Sequence, residues 1–212
     1  MRPPADRPPQ VHLVDDDPDV RHAVTFLLEA EGHQVTAYPD PGSLLEAITQ
    51  SHRGCLLLDV RLPGMSGLEL HARLQAQGVD MPALFISGHG DIPMAVRAIN
   101  AGALDFIEKP FRDELLLEKV ANALEMDAHR SQEHARRDEL EARLARLTPR
   151  ERQVMEAMIQ GKLNKVIAGE LDVSPRTVEV HRARVLEKLK ARNSSDMVRL
   201  VLSTESYRDW LL

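Results

Sequence analysis

The chain has 212 residues, of which 43% are hydrophobic and 28% charged, a composition typical of a globular protein with one or two domains. The single cysteine, Cys55, excludes an internal disulfide and fits a reducing compartment. No apolar run approaches the roughly 18 residues of a transmembrane helix, and the proline-rich residues 1–9 lack the apolar core of a signal peptide. We therefore expect a cytoplasmic protein whose first nine residues form a disordered tail.

Charge is distributed unevenly along the chain. The net charge is -6, but residues 148–212 carry 12 Lys and Arg against 9 Asp and Glu, a net +3. Residues 1–147 carry 15 against 24, a net -9. Such an asymmetry indicates two modules with different partners.

Strand and helix patterns alternate five times in the first half of the chain. Short apolar runs predict the strands, and apolar residues at helical spacing between them predict helices, several of which end at a glycine. The predicted strands are 11–14, 34–38, 56–59, 83–87 and 104–107. This alternation predicts an α/β domain with a five-stranded parallel sheet, as in flavodoxin-like folds.

Polar side chains stand at the carboxyl ends of four predicted strands. Asp15 and Asp16 follow the first strand, Asp59 ends the third, Ser87 ends the fourth and Lys109 follows the fifth. In a parallel sheet these ends share one edge, where ligands bind. Clustered carboxylates repel each other unless a cation lies between them, and oxygen ligands with room for water suit Mg²⁺. A lysine and a hydroxyl opposite them suit a phosphoryl group.

We therefore predict phosphoryl transfer onto a carboxylate, with Asp59 as the nucleophile. Mg²⁺ would be held by Asp59, by Asp16 directly, by Asp15 directly or through water, and by the backbone carbonyl of Arg61. The alternative is a flavodoxin-like fold that has no chemistry or binds a flavin. A flavin phosphate would favour a loop rich in Gly, Ser or Thr after the first strand, whereas this loop is formed by 15–17, all aspartates.

At these residues the sequence resembles the receiver domain of bacterial two-component response regulators. The matching segments are 14–17, 58–67, 87–91 and 101–111, and the last two are similar to the FixJ group in particular. The resemblance implies the strand order 2-1-3-4-5, phosphorylation of Asp59 by a sensor histidine kinase, and Mg²⁺. It also implies a switch in which Ser87 reaches the phosphoryl group and Phe106 swings inward, and a cis bond between Lys109 and Pro110. Ser87 stands where the family often has threonine, and the hydroxyl is retained.

The segment 125–146 is predicted to be a helical linker. It is rich in charge, and Leu140, Leu144 and Leu147 recur at helical spacing in a thin stripe. A solvated helix explains this pattern, and a coiled coil between two chains is the alternative. A strict heptad seam fails, because heptad positions extended from Leu117 and Val120 fall on polar residues.

The last third of the chain predicts a helix-turn-helix. Thr148, followed by Pro149, begins a helix. A short helix over 164–171, a tight turn and a longer helix from Pro175 to about Lys190 follow, and a last helix starts at Ser194.

One face of the longer helix is predicted to enter the major groove of DNA. Val178, Val185 and Leu189 mark the buried stripe. Glu179 is placed to accept from a cytosine amino group and Val180 to touch a thymine methyl. The predicted DNA contacts are Lys165, Arg176, Thr177, Glu179, Val180, His181, Arg182, Ala183, Arg184 and Lys188. A solvated helix face is the alternative, and His181 fits a packing role equally well.

Residues 147–189 resemble the LuxR-type helix-turn-helix, so the chain is similar to the NarL/FixJ family of response regulators. The resemblance implies a receiver domain over 10–124, the linker and a DNA-binding domain over 147–212. It implies no enzyme but a phosphorylation-activated transcriptional regulator, most simply an activator. Its partners would be a sensor histidine kinase, promoter DNA, RNA polymerase and a second copy of the chain. The rivals are a receiver with a protein-binding output, and a DNA-binding protein that ignores phosphorylation.

Overall fold

The computed structural model describes residues 8–88, 92–204, 206–207 and 210. The chain divides into two units, Met1–Gln132 and Glu133–Leu212. Residues 1–7 of the predicted tail, and His89 and Gly90 of a predicted loop, lie outside the described residues. In the described part of the chain, no helix combines the length and the apolar character needed to cross a bilayer.

The first unit is built on one parallel sheet. Its described strands lie in the order β2-β1-β3-β4-β5, which confirms the predicted fold and topology. Strand β5 begins one residue later than predicted, because its pairing with β4 starts at Leu84 and Asp105. The elements are β1 (Gln10–Val14), α1 (Pro18–Ala30), β2 (Val35–Tyr38), α2 (Pro41–Ala47), β3 (Gly54–Asp59), α3 (Gly67–Ala76), β4 (Ala83–Ser87), α4 (Ile92–Asn100), β5 (Asp105–Glu108) and the beginning of α5 (Asp113–Ala145).

Strand β3 is the centre of this unit. It is buried at all 6 positions, as a strand covered on both faces must be. Leu58 belongs to one core layer and Leu57 to the other, so the alternation of the strand fixes its register. A side chain at Gly54 would lie 1.8 Å from the carbonyl oxygen of Gln10, so only glycine lets β3 approach β1 here. This packing holds Asp59 at the edge of the sheet.

Helix α5 is continuous across the predicted boundary between the receiver domain and the linker. It runs from Asp113 to Ala145 and includes most of the predicted linker. Within the first unit, the buried carboxylate of Asp127 pairs with Arg53 at 2.8 Å. Within the second unit, Leu140 and Leu144 are buried in the core. Three residues of the predicted linker, Asp127, Leu140 and Leu144, are therefore buried within one unit or the other.

The second unit is helical and contains a helix-turn-helix, as predicted. Its elements after the end of α5 are α6 (Pro149–Ile159), α7 (Asn164–Leu171), α8 (Pro175–Leu189) and α9 (Ser194–Leu202). Thr148 and Glu151 form a reciprocal cap at the start of α6. Asp172 ends α7 in the left-handed conformation, with φ of 55°, and Ser174 caps α8. This short turn brings α7 and α8 onto a common core, in which Ile167, Val178 and Val185 are buried.

Candidate functional site

The carboxyl edge of the sheet brings three of the predicted site residues into direct contact. The ammonium nitrogen of Lys109 lies 2.6 Å from Oδ2 of Asp15 and 2.7 Å from Oδ1 of Asp59. The lysine follows β5, and its backbone amide donates to the carbonyl of Ser87 at 2.8 Å, which anchors it beside β4. A single cation therefore bridges two carboxylates from β1 and β3.

Backbone amides fix the other oxygen of each carboxylate. Oδ2 of Asp59 accepts from the amide of Arg61 at 2.6 Å, and Oδ1 of Asp15 accepts from the amide of Asp17 at 3.0 Å. The two aspartates are buried, with 5% and 1% of their surface exposed. Their orientation is therefore set before any ligand arrives, as a preorganised site requires.

Burial and ion pairing act against each other in this site. Burial raises the pKa of the Asp59 carboxyl, although Lys109 and the Arg61 amide oppose the rise. Burial lowers the pKa of Lys109, but hydrogen bonds and charge from Asp15 and Asp59 outweigh it and raise the pKa. Lys109 is therefore protonated throughout the neutral range, and its single positive charge faces two carboxyl groups.

The donor set fits Mg²⁺. In the described part of the chain, no group of three or more His, Cys, Asp and Glu side chains is gathered as a ready metal site. Mg²⁺ requires less than this, since it keeps several waters and takes one or two carboxylates. Asp16 is exposed directly beside the buried Asp15. The cluster of carboxyl groups and the oxygen-only donors are what a hard divalent cation prefers.

The two predicted switch residues lie on neighbouring strands. Ser87 is buried, and its hydroxyl lies 4.0 Å from the sulfur of Met94 on α4. Phe106 on β5 is partly exposed and packs on the same core layer as Phe85. The bond between Lys109 and Pro110 is cis, as predicted.

The predicted DNA-binding residues lie on α7 and α8 of the second unit. Val178, Val185 and Leu189 form the buried stripe of α8, which confirms the predicted orientation of the helix. Thr177, His181 and Arg182 are partly buried at the borders of that stripe. The exposed members of the set are Lys165, Arg176, Glu179, Val180, Ala183 and Arg184.

Comparison with known proteins accounts for both units. Residues 11–121 match the model of the response regulator receiver domain, and residues 145–201 match that of the bacterial regulatory proteins of the luxR family. The chain is a response regulator of the NarL/FixJ family. It is therefore a transcriptional regulator with a phosphorylatable receiver and a LuxR-type DNA-binding output.

The similarity extends over almost the whole regulator. The transcriptional regulatory protein FixJ of Bradyrhizobium diazoefficiens is 42% identical over 199 residues, which are 94% of this chain and 97% of FixJ. The response regulator TodT of Pseudomonas putida is 41% identical over 211 residues, covering 100% of this chain and 92% of TodT. The solved structure of the response regulator StyR is 42% identical, covers 92% of this chain and 98% of its own, and superposes with a TM-score of 0.83.

Two of the basic residues among the predicted DNA contacts of the regulator are engaged inside its second unit. The ammonium of Lys188 lies 2.6 Å from Glu151, which is buried, and 3.2 Å from the carbonyl of Arg146. Burial raises the pKa of Glu151, but Lys188 and Thr148 outweigh it and hold the pKa below its usual value. Arg182 donates to the hydroxyl of Ser194 at 3.1 Å. Helical spacing could not reveal these partners, because Glu151 and Ser194 lie on other helices.

The receiver site also contains residues to which the sequence analysis assigned no role in the site. A side chain at Gly67 would lie 2.2 Å from the carbonyl oxygen of Asp59, so this glycine lets the loop after β3 close on the site. Nη1 of Arg21 donates to the backbone carbonyl of Asp15 at 2.7 Å. Arg21 lies six residues after Asp15, in the first turns of a helix that follows an acidic loop. This position in the sequence is the signal that could have identified it.

Proposed function

We propose that the regulator accepts a phosphoryl group on Asp59 from a sensor histidine kinase, pairs through its receiver and then binds promoter DNA as an activator. The observation that carries this proposal is the Lys109 ammonium, which bridges the buried Asp15 and Asp59 at the carboxyl edge of the sheet. A cation at this place stabilises the negative charge that a phosphoryl group brings to a carboxylate. The protein would act in the cytoplasm, where bacterial promoters lie.

The chemistry assigned to this site is a transfer between two nucleophiles. A carboxylate oxygen of Asp59 attacks phosphorus as the bond from phosphorus to the kinase imidazole breaks. Lys109 lies beside the Asp59 carboxylate, and the hydroxyl of Ser87 would donate to the transferred group. Asp15, Asp16, Asp59 and the Arg61 carbonyl would hold Mg²⁺, which when bound neutralises charge on the phosphoryl oxygens.

The surface beside the site supports docking of a kinase. An open apolar groove with a volume of about 550 Å³ lies between α1 and the segment that leads into α5. It is lined by apolar side chains including Val20, Phe26 and Phe111, and it also includes Lys109. The Phe26 side chain is 74% exposed, which is unusual for a large aromatic residue. A partner helix in this groove would lie next to the phosphoryl acceptor.

Pairing of receivers is assigned to α4 and β5. Val96 and Ile99 on α4 are 51% and 47% exposed, while Ala98 on the same helix is buried. Ser87 contacts Met94 on α4, so a shift of the Ser87 hydroxyl towards a phosphoryl group would change the packing of this helix. The inward movement of Phe106 would change β5 at the same time. The reshaped apolar face would then be covered by a second receiver.

The output is assigned to the exposed face of α8. Arg176, Glu179, Val180, Ala183 and Arg184 are the proposed contacts, with Lys165 on α7 and the border residues Thr177, His181 and Arg182. Lys188 is assigned to its internal pair with Glu151. The contact with RNA polymerase and the activating sense rest on family membership.

A protein-binding output is the second candidate. Leu163 and Val166 at the start of α7 are 74% and 48% exposed, and such side chains also suit a protein partner. DNA binding predicts an affinity that falls steeply with salt, because phosphate contacts release counterions. Titration of duplex DNA at several salt concentrations distinguishes the two outputs.

The phosphoryl acceptor is tested with acetyl phosphate and Mg²⁺. We expect one phosphoryl group per chain, located on Asp59 by mass spectrometry, and no label in Asp59→Asn. Asp17→Asn is the matched control, because Asp17 lies in the neighbouring acidic loop but caps α1. Label at the wild-type level in Asp59→Asn would exclude Asp59 as the acceptor.

A further inference from the structure

The loop between β1 and α1 is held by Arg21. Nη1 of Arg21 donates to the carbonyl oxygen of Asp15 at 2.7 Å, and the backbone amide of Arg21 donates to the carbonyl of Asp17 at 3.0 Å. The side chain is half-buried. It therefore ties the first turns of α1 back to the end of β1.

The carbonyl of Asp15 controls the direction in which Asp16 leaves the strand. That carbonyl belongs to the peptide unit shared with Asp16, and a peptide unit is planar. The Asp15 side chain is already fixed by Lys109 and by the amide of Asp17. Arg21 adds the remaining anchor, at the carbonyl. The orientation of this peptide sets the direction in which the exposed Asp16 side chain leaves the backbone.

We infer that Arg21 is a positioning residue for the divalent cation, which it serves by orienting the Asp15–Asp16 peptide without contacting the metal or the phosphoryl group. The inference rests on the proposed function, in which Asp15 and Asp16 hold Mg²⁺. Guanidinium suits this role, because it is planar, always charged and less strongly hydrated than an ammonium group. Partners behind the metal ligands typically change metal affinity by roughly 10–100-fold when they are removed.

The test measures Mg²⁺ affinity directly, by calorimetric titration of the unphosphorylated full-length chain. We expect the dissociation constant for Mg²⁺ to rise about tenfold or more in Arg21→Ala. The dissociation constant of Arg21→Lys should lie between those of this variant and the wild type. The matched control is Arg73→Ala, which also removes one cation but lies in the last turn of α3, away from the site edge. Its affinity should stay within about twofold of the wild type.

Two further measurements separate positioning from a merely structural or catalytic role. Hydrogen exchange at the Asp17 amide should be faster in Arg21→Ala, because the loop that contains this amide loses its anchor at the Asp15 carbonyl. The Mg²⁺ concentration needed for half-maximal labelling by acetyl phosphate should rise by the same factor as the dissociation constant. At saturating Mg²⁺ the labelling rate should recover to within about threefold of the wild type.

Clear results would overturn the inference. An unchanged Mg²⁺ affinity in Arg21→Ala does so, and so does a lower maximal labelling rate with unchanged Mg²⁺ dependence, which would place Arg21 against the phosphoryl group. If Arg21→Ala does not fold, Arg21→Gln carries the same test. A wild type that takes no label on Asp59, while Arg21→Ala still weakens Mg²⁺ binding, contradicts the proposed function and supports the inference.

Discussion

His12 is a buried histidine with few hydrogen-bond partners among the described residues. It lies on β1 with 1% of its surface exposed, its Nδ1 is 3.4 Å from the hydroxyl of Tyr38, and its Nε2 has no partner among the described residues. Burial, with a smaller contribution from nearby His52, lowers the pKa of His12 to about 4. The imidazole is therefore neutral in the folded receiver at neutral pH.

This histidine should make the receiver sensitive to acid. Its pKa is about 6.5 in an unfolded chain but about 4 in the folded one, so the unfolded chain binds more protons between these values. The free energy of unfolding should fall by up to about 3 kcal/mol as the pH drops from 6.5 to 4. Urea unfolding followed by circular dichroism between pH 7 and 5 measures this slope.

His12→Leu should flatten that slope. A part of it should remain, because burial also lowers the pKa of His71. His22→Ala is the control, since His22 is exposed on α1 and should leave the slope unchanged. An identical pH dependence in the wild type and His12→Leu would contradict the assignment.

The sequence predicts some of these residue-scale features and not others. Asp15, Asp59 and Lys109 could be placed together because each stands next to a strand end, and parallel strands bring such ends to one edge. The sequence could not predict the pair of Lys188 with Glu151 or that of Arg21 with the Asp15 carbonyl. These pairs depend on how side chains of separate segments meet in space.

At the scale of helices, replacing either of two glycines by alanine should change stability in opposite directions. Gly169 is exposed in α7, and an added Cβ would meet no atom within 4 Å, so Gly169→Ala should stabilise the second unit by about 0.5–1 kcal/mol. Gly67→Ala should destabilise the receiver, because its Cβ would lie 2.2 Å from the Asp59 carbonyl oxygen. Thermal unfolding of both variants tests the pair, and a loss of stability in Gly169→Ala would contradict the argument.

The part of α5 that extends beyond residue 121, where the match to the receiver family ends, should be held in place by Arg53. Asp127 accepts from Nε of Arg53 at 2.9 Å, and the hydroxyl of Ser131 accepts from the same guanidinium. Because Asp127 is buried, Arg53→Ala should cost the receiver about 2 kcal/mol. The exposed pair of Arg130 with Asp80 is the control, and Arg130→Ala should cost less than about 1 kcal/mol.

Urea unfolding of the two variants gives these values, and equal costs would show that the buried pair has no special role. The length of α5 itself was open to prediction, since no glycine or proline interrupts 113–145. The division of the contacts of α5 between the two units could not be predicted. Arg53 is distant from α5 in sequence, and the leucine stripe alone does not show which core the leucines join.

At the scale of the whole molecule, the two units differ in charge as well as in fold. The second unit, residues 133–212, has 16 Lys and Arg against 13 Asp and Glu, so one DNA-binding unit offers few phosphate contacts. The remaining chain is acidic and is repelled by DNA. Both facts predict weak binding by a single unphosphorylated chain. Two DNA-binding units on one duplex gain from effective concentration, which adds roughly 10²–10⁴-fold in affinity.

The combined prediction is that phosphorylation raises DNA affinity by bringing two chains together. The fragment for comparison is 133–212 and not 148–212, because Leu140 and Leu144 are core residues and the Leu144 carbonyl accepts from Arg152 at 3.0 Å. Sedimentation velocity should show a monomer that becomes a dimer with a phosphoryl mimic. DNA titration should show at least a tenfold gain for the full chain and none for the fragment.

Matched variants link this gain to the proposed surface. Val96→Asp should abolish dimerisation and the gain in DNA affinity while leaving Asp59 labelling intact, because Val96 is exposed on α4 and lies outside the phosphorylation site. Phe26→Asp is the counterpart on α1, and it should reduce transfer from a kinase but not dimerisation. If the phosphoryl mimic changes neither the mass in solution nor the affinity for DNA, the output must be controlled without pairing. The exposed apolar residues of α4 would then need another partner.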